Sequence, residues 1–488
     1  MDLHTNTGQL LYLQRLLATC QGWASQFQYI EWQRQLGYEV SHQVCSVEFL
    51  GIRLVYDAAV FEHQRRRDPH SVNAWVNQLN NLHERPTKLP EQPMTHAIWQ
   101  CALEMSYQEK ITNGLTLETH APKPQSEVPE VQMAFCIDVR SEMLRRHLEA
   151  CEIRIQTIGF AGFFGMPLNI QTRAQNETQN RLPVLIKSAV QAREKTHSHS
   201  DNPEPNDQLR ANRWMSFFKN IRKGPLSSFV YVELFGLLSL FRFLKQTWNT
   251  HIHPKPEHHQ CKHGTAQHVH LDQYELIDQD TGEEHTPEQQ VGLVAAILGH
   301  MGLTENFGRF IFLVGHGAHT TNNAFESVLQ CGACGGHAGD MSARILTQLL
   351  NKPGIRAGLH QRGIVIPSET RFFSALHETV TDRIHILDPK YIPERYRKDI
   401  QRLEKQFAQA SEATSRERQN TRSERLDPCP HRRAKNWSET RPEWGLAGNA
   451  CFIIAPRRRT KQLNLASRAF LHDYDWQNDR EYKTLELL

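Results

Sequence analysis

The stretch FCIDVRSE, Phe135 to Glu142, places a thiol, a carboxylate and a guanidinium at alternate positions. Side chains of an extended strand point alternately to its two faces. If the segment is a strand, Cys136, Asp138 and Arg140 lie in one row, and the apolar residues between them fill the other face. A soft metal ligand, a hard oxygen ligand and a cation that can hold the oxygen ligand back would then share one edge. The pattern predicts half of a metal site.

A candidate for the other half begins where an apolar run, Phe310 to Val314, ends in Gly-His-Gly around His316. Loops at strand ends are where α/β sheets present functional groups. Cys331 follows fifteen residues later in the segment CGACGG, whose glycines let the backbone bend tightly around a ligand atom. Two thiolates and one imidazole suit Zn²⁺. We therefore expect Cys136, His316 and Cys331 to bind zinc.

The fourth position of such a site has two candidate occupants. Asp138 could close it, or Arg140 could pair with Asp138 and hold it away. In the second case water would take the position, and its pKa would fall towards about 7, giving a hydroxide nucleophile near neutral pH. Two thiolates donate more charge than imidazoles, so we expect weaker acidification than at a three-histidine site. We interpret Asp138 and Arg140 as a switch.

Other interpretations of the same residues stay open. Free cysteines are often buried core residues, which would make Cys136 a packing residue. Cys331 and Cys334 form a C-x-x-C pair that suits a redox couple or half of a structural zinc site. His319, three residues after His316, is a competing ligand or a hydrogen-bond partner of the ligands. Spacing alone does not decide among these.

The elements that would position these residues change in kind along the chain. Residues 1–125 carry amphipathic helical patterns and end in a Pro-rich polar connector. In residues 126–390, short β-rich runs alternate with helical patterns, which is typical of an α/β fold with a mainly parallel sheet flanked by helices. Residues 391–488 carry a long charged helical pattern and a returning strand. We expect these three regions as domains.

Two polar segments interrupt the α/β region, at residues 195–212 and 251–270. Both are predicted to be exposed loops. The second contains seven histidines and Cys261. Because metal sites work better on ordered elements, we expect this loop to bind metal at most adventitiously.

The bulk composition limits the function classes. The chain has 488 residues, of which 39% are hydrophobic, and its mean hydropathy of -0.58 argues against an integral membrane protein. Its formal charge of +3 is small, which argues against nucleic acid as a partner. Ten cysteines without regular spacing predict a reducing compartment, and the N-terminus lacks the pattern of an export signal.

The most apolar stretch, Phe229 to Leu244, is shorter than the roughly 20 residues that a membrane-spanning helix needs. It also carries Glu233 and Arg242, which are costly in a bilayer. We expect a buried helix here, in preference to a surface that docks onto a membrane or a membrane partner.

Several longer motifs together resemble one family. CIDVRSE, GFAGFFG, HGAHTTNN followed by CGACGG, RPEWGLAGNACFIIAPR and SRAFLHDYD occur in the order found in the DabA family, soluble subunits of bacterial energy-coupled inorganic carbon pumps. The resemblance covers most of the chain after about residue 125. DabA proteins are similar to β-carbonic anhydrases, which use the same C-x-D-x-R strand, although the anhydrases have a short H-x-x-C in place of the fifteen-residue separation seen here. A β-carbonic-anhydrase-like core is therefore implied.

The resemblance also implies residue roles and a reaction. Its zinc ligands fall on Cys136, Asp138, His316 and Cys331, and its arginine partner falls on Arg140. The implied reaction is hydration of CO₂ to bicarbonate in one direction, driven by ion flow through DabB, a cation-conducting membrane subunit. The implied location is peripheral, on the cytoplasmic side of the cell inner membrane. A carboxylate that blocks zinc until it is displaced would act as the gate.

Two other functions remain open from the sequence. One is a stand-alone zinc enzyme, either a carbonic anhydrase or a hydrolase. The other is a non-catalytic binding module stabilised by zinc with all four ligands closed. Members of the resembled family usually run well beyond 488 residues, so we expect the zinc site to be less affected by the length of this chain than docking to a membrane partner.

Overall fold

The computed structural model describes residues 6–35, 45–80, 91–117, 128–151, 154–171, 178–183, 185–194, 227–251, 274–320, 326–420 and 448–477, with a few single residues between and after them. The predicted loop at 195–212 lies outside these residues, as does 252–270 of the second loop. The chain divides into two compact units, Met1–Met105 and Ser106–Leu488. The domain division at residues 125 and 390 stays a prediction.

The first unit is helical over its described residues, which matches the amphipathic patterns of the sequence. Its helices are α1 (Asn6–Ala18), α2 (Gln21–Gln35), α3 (Ser46–Arg67), α4 (Pro69–Asn80) and the beginning of α5 (Glu91–Leu117). Tyr12 is buried between these helices, donates a hydrogen bond to Asp57 and meets Trp75 edge to face, with ring centroids 5.9 Å apart. Aromatic packing thus joins α1 to α4.

The second unit contains three sheets and seven further helices among its described residues. The strands are β1 (Val131–Cys136), β2 (Ile155–Phe160), β3 (Leu168–Gln171), β4 (Thr178–Asn180), β5 (Val190–Glu194), β6 (Tyr274–Asp278), β7 (Phe310–Gly317), β8 (Arg371–Glu378), β9 (Arg383–Ile386), β10 (Cys451–Ile454) and β11 (Ala469–His472). The helices are α6 (Val139–Cys151), α7 (Ser227–His251), α8 (Pro287–His300), α9 (Glu326–Leu329), α10 (Asp340–Asn351), α11 (Pro353–Gln361) and α12 (Arg397–Asn420).

The main sheet has the strand order β2-β1-β7-β8-β9. β1 pairs in parallel with β2 and β7, and β7 pairs in parallel with β8, while β9 is antiparallel to β8. The mixed α/β fold with a mainly parallel sheet, which the alternating pattern predicts, is thus confirmed. In this order the carboxyl ends of β1 and β7 lie side by side.

Helices cover both faces of the main sheet. Ala134 of β1 belongs to a buried cluster with residues of α8, α10 and α11, whereas Met133 and Phe135 belong to a cluster with residues of α6 and α12. Every residue of β1 and β7 is buried. Strands in the middle of a parallel sheet are buried on both faces, so their sequences are continuous apolar runs. This explains the sequences VQMAFC and FIFLV.

The returning strand forms a parallel pair, β10 with β11, that packs beside β2 and α6. The backbone N–H of Leu471 donates to the carbonyl of Ile137 at 3.2 Å, directly after β1 ends. Two buried ion pairs hold this region. Arg145 contacts Asp473 at 3.1 Å, and Arg457 contacts Glu149 at 3.0 Å.

Helix α7 forms where the most apolar stretch predicts a helix, but the expectation that it is buried is wrong. Its apolar side chains are exposed, with Leu237 82% and Phe241 77% accessible. An apolar sequence pattern shows that a helix has a surface to bury. It does not show whether that surface packs against the core of the same chain. None of the helices that the structure describes is long and apolar enough to cross a membrane.

Candidate metal centre

The strand of the CIDVR segment ends earlier than the alternating pattern predicts. β1 ends at Cys136, and α6 begins at Val139, so the expectation that Cys136, Asp138 and Arg140 share one strand face is wrong. Asp138 instead lies at the N-terminus of α6, where its Oδ1 accepts a hydrogen bond from the backbone N–H of Arg140 at 2.9 Å. Aspartate is favoured at this position because the first N–H groups of a helix have no intrahelical partner.

Three predicted ligands come together at the carboxyl edge of the main sheet. Cys136 ends β1, His316 lies near the end of β7, and Cys331 follows in the segment between β7 and α10. One ligand atom from each lies within 4.8 Å of the others, and all three side chains are buried. Because β1 and β7 are parallel neighbours, two donors 180 positions apart in the sequence meet. This group could hold a metal ion.

Arg140 holds Asp138 beside this group. Its Nε donates to Asp138 Oδ1 at 2.8 Å, and its Nη2 donates to Oδ2 at 2.9 Å, so the pair is bidentate. Arg140 also donates to the carbonyls of Leu329 at 2.7 Å and Gln330 at 3.1 Å, which precede Cys331. One guanidinium thus fixes both the carboxylate and the chain that carries the third donor.

Asp138 also lies close to the imidazole. Its Oδ2 is 3.6 Å from His316 Nε2, and Arg140 Nη2 is 3.1 Å from the same nitrogen. Burial by itself would raise the pKa of Asp138, but the charges of Arg140 and His316 and the hydrogen bonds from Arg140 outweigh it. The pKa of Asp138 therefore lies well below its usual range, and the carboxylate is ionised.

The two thiols have the opposite tendency. The hydrogen bond between the thiols and burial raise the pKa of Cys136 well above its usual value. For Cys331 the hydrogen bond with Cys136 lowers the pKa. The hydrogen bond with Cys334 and burial together raise it by more, so the net shift is upward. Thiols this close share protons, and a divalent cation that binds both replaces those protons.

The donor set suits zinc. Two thiolates and an imidazole match the soft and borderline ligands that Zn²⁺ takes at tetrahedral sites. His316 Nδ1 is buried and has no hydrogen-bond partner among the described residues. An unpaired buried donor or acceptor calls for an explanation, and a coordinated cation near the ring supplies one.

The competing candidates lie outside the three-residue group. Cys334 is buried next to Cys331, on a 3-10 turn (Gly332–Cys334), and shares a hydrogen bond with it. His319 is exposed. Neither belongs to the group of side chains that could bind one ion together.

A buried ionic network next to the site was not predicted from the sequence. His377 lies opposite His316 in the β7/β8 register, and its Nε2 is 3.6 Å from Asp382 Oδ1. Arg418 of α12 forms a bidentate pair with Asp382 at 2.8 and 2.9 Å and donates to the backbone carbonyl of Arg140 at 3.3 Å. The signal was the polar run HETVTD directly after an apolar strand, which is where α/β sheets place functional groups.

Comparison with known proteins gives a consistent result. The family model described as "Probable inorganic carbon transporter subunit DabA" matches residues 4–488. A protein of that name from Acidithiobacillus ferrooxidans is 37% identical, over 98% of this chain and 59% of the relative. Probable inorganic carbon transporter subunit DabA2 of Halothiobacillus neapolitanus is 38% identical, over 98% of this chain and 58% of the relative.

A third relative of the same description, from Chloroflexus aurantiacus, is 38% identical over 98% of this chain and 57% of its own length. The chain thus spans less than three fifths of the length of these relatives. No solved structure matches the chain.

Proposed function

The chain belongs to the DabA family, and we propose that it is the zinc-binding subunit of an energy-coupled inorganic carbon pump that hydrates CO₂ to bicarbonate in one direction. The observation that carries this proposal is the buried group of Cys136, His316 and Cys331, whose ligand atoms lie within 4.8 Å of one another. The curated relatives are named as probable inorganic carbon transporter subunits, which supplies the substrate class.

The proposed reaction assigns a role to each residue of the site. Cys136, His316 and Cys331 would hold zinc, and Asp138 would be a fourth ligand in the closed state. When bound, zinc supplies a Lewis acid that lowers the pKa of a water molecule, so that the water can attack the carbon of CO₂ near neutral pH. Arg140 keeps Asp138 ionised and, in the arrangement described above, pairs with both carboxylate oxygens, which would hold the carboxylate away from the metal.

Hydration of CO₂ in one direction requires a gate, because a free anhydrase catalyses hydration and dehydration alike. Asp138 has two stable partners in this proposal, Arg140 and the metal. A membrane partner can shift that equilibrium only if it interacts differently with the two states. Arg140 provides a path for such an interaction, since its backbone carbonyl accepts a hydrogen bond from Arg418 of α12.

The proposed partner is a DabB-like, cation-conducting membrane subunit, and the proposed location is peripheral, on the cytoplasmic side of the inner membrane. A transporter subunit works in a complex, as the names of the relatives imply. The exposed apolar side chains of α7 support association with another apolar surface.

A β-carbonic-anhydrase-like core is also part of the proposal. It is supported by the parallel sheet and by the C-x-D-x-R motif at the end of β1. His316 and Cys331 are fifteen positions apart, so the segment that brings the second thiol to the site is longer than the short H-x-x-C of the anhydrases.

Growth of a carbonic-anhydrase-deficient bacterium in air tests the proposal. We expect rescue when this chain is expressed with its membrane partner, and no rescue with either protein alone. Cys331→Ser is expected to abolish rescue and zinc binding, whereas Cys151→Ser, which changes an exposed free cysteine, keeps both.

Two other outcomes would replace the proposal. Rescue by this chain alone, together with CO₂ hydration by the purified protein, would identify a stand-alone zinc enzyme. Bound zinc whose spectrum shows four closed protein ligands under every condition, without rescue, would identify a binding module stabilised by zinc.

A further inference from the structure

Gly162 lies in the loop after β2 and faces both thiols of the metal centre. A Cβ atom added to Gly162 would lie 2.6 Å from the Sγ of Cys331 and 2.7 Å from the Sγ of Cys136. Both values are shorter than real Cβ contacts. A methyl group at this position would therefore force at least one thiol away from its place in the group of Cys136, His316 and Cys331.

The backbone conformation does not explain the glycine. Phe164 and Gly165, in the same loop, have φ angles of 51° and 65°, in the left-handed region that favours glycine. Gly162 is not among the residues with positive φ. Alanine is thus permitted at Gly162 by its backbone, and the restriction there is one of space.

Two further glycines extend this close packing to the other ligand segments. A Cβ on Gly339 would lie 3.1 Å from the carbonyl oxygen of Gly162, and a Cβ on Gly315 would lie 2.4 Å from the carbonyl oxygen of Gly339. The N–H of Gly339 donates to the carbonyl of His316 at 2.9 Å. Three backbone segments therefore touch at glycines, and Gly162 is the one that borders the sulfurs.

We propose that Gly162 is a positioning residue of the metal centre, whose missing side chain lets the two thiols take the positions from which they can bind a thiolate-preferring divalent cation together with His316. The proposal rests on the proposed function only in taking Cys136 and Cys331 as ligands. It concerns cation binding, and it holds whether or not the bound cation hydrates CO₂.

Metal binding by Gly162→Ala tests this role. The matched control is Gly299→Ala, because a Cβ at Gly299 meets nothing within 4 Å. Each purified chain is titrated with Co²⁺, and the thiolate-to-cobalt absorption and bound metal per chain are measured. We expect affinity in Gly162→Ala to fall by roughly tenfold or more, as for changes next to metal ligands. Affinity in Gly299→Ala is expected to stay unchanged.

A second measurement separates lost space from a general folding defect. Thermal unfolding of the metal-free chain is followed for Gly162→Ala in the natural background and in a Cys136→Ala/Cys331→Ala background. We expect the added methyl group to lower the Tm clearly in the first background and much less in the second, because the sulfurs that it meets are then gone. Such a cycle isolates the interaction between the two positions.

The results that contradict the role of Gly162 differ from those that contradict the proposed function. Unchanged cobalt affinity in Gly162→Ala, or an equal loss of Tm in both cysteine backgrounds, would overturn the role of Gly162 alone. A natural chain that binds no Co²⁺ or Zn²⁺ would overturn the zinc-binding function, and the role of Gly162 with it.

Discussion

Arg140 has more buried partners than a residue that only balances the charge of Asp138 would need. It joins the first turn of α6 to Asp138, to the carbonyls of Leu329 and Gln330, and near to the imidazole of His316. Its guanidinium presents five donors in a fixed plane, which suits this number of acceptors. The side chain therefore orders two halves of the site that lie almost 200 residues apart.

Replacing Arg140 by alanine tests this anchoring role. The change removes the guanidinium that balances the buried Asp138 carboxylate and donates to two carbonyl groups, so we expect a loss of about 3–5 kcal/mol in the free energy of unfolding. Urea denaturation of the metal-free chain measures it. Arg416→Ala removes an exposed arginine, 73% accessible in its pair with Glu412, and is expected to change stability by less than about 0.5 kcal/mol. Equal effects in the two variants would contradict the anchoring role.

Helix α12 is tied to the turn after β8 by the pair of Arg418 and Asp382. Burial raises the pKa of Asp382, but the charge and hydrogen bonds of Arg418 and the contact with His377 outweigh it and lower the pKa to about 2. An acid whose pKa is lowered by folding adds stability above its unfolded pKa of 3.8 and loses that contribution as the pH falls towards about 2.

Asp382→Asn is expected to cost about 3–5 kcal/mol at neutral pH, because Arg418 keeps its charge in a buried place. Asparagine tolerates the φ of 56° at this position, so the backbone is not the cause. The difference from the natural chain should shrink as the pH falls from about 4 to about 2, and urea unfolding across this range measures it. Asp280→Asn, at an exposed ion pair, serves as the control. A difference that stays constant with pH would argue against the ionic link.

At the level of elements, the sequence predicted the order of the helices and strands better than it predicted the residues at which they end. The parallel sheet followed from the alternation of β-rich and helical runs, because a parallel pair needs a crossover that is usually a helix. The end of β1 was misplaced, since alternating side chains in Cys136, Asp138 and Arg140 fit a strand, while the ability of Asp138 to accept N–H groups at a helix start decided the outcome.

Contacts between distant segments were harder to predict than the ligands themselves. His316 and Cys331 were found from residue type and from their place after an apolar run. The network of His377, Asp382 and Arg418 was not, because neither spacing nor composition shows that α12 contacts the turn after β8. The space beside Gly162 depends on distances of tenths of an ångström and has no signal in a single sequence.

For the whole molecule, α7 is the feature that most clearly points to assembly. Its exposed apolar residues lie on more than one side of the helix and include Phe229, Leu234, Leu237, Leu238 and Phe241. Large apolar patches on a soluble surface mark interaction sites. The apolar area is therefore better explained by a binding surface than by the fold of this unit.

Leu237→Glu separates binding from folding. Because Leu237 is exposed, we expect the Tm of the purified chain to change little, while association with the proposed membrane partner is lost. Thermal unfolding and co-purification with the partner from membranes measure the two effects. Val365→Glu, which changes an apolar side chain with 56% accessibility in the segment after α11, is expected to leave both unchanged. A variant that still co-purifies would show that α7 is not the contact.

The hydrogen bond from Leu471 to Ile137 has a mechanical consequence. The carbonyl of Ile137 lies between Cys136, a proposed ligand, and Asp138, the proposed gate. The N–H of Leu471 in β11 thus holds the peptide unit between Ile137 and Asp138, and the ion pair of Arg145 with Asp473 ties the residue after β11 to α6. A displacement of Leu471, which lies 334 residues after Ile137, would therefore act directly on the backbone that leads into the proposed gate.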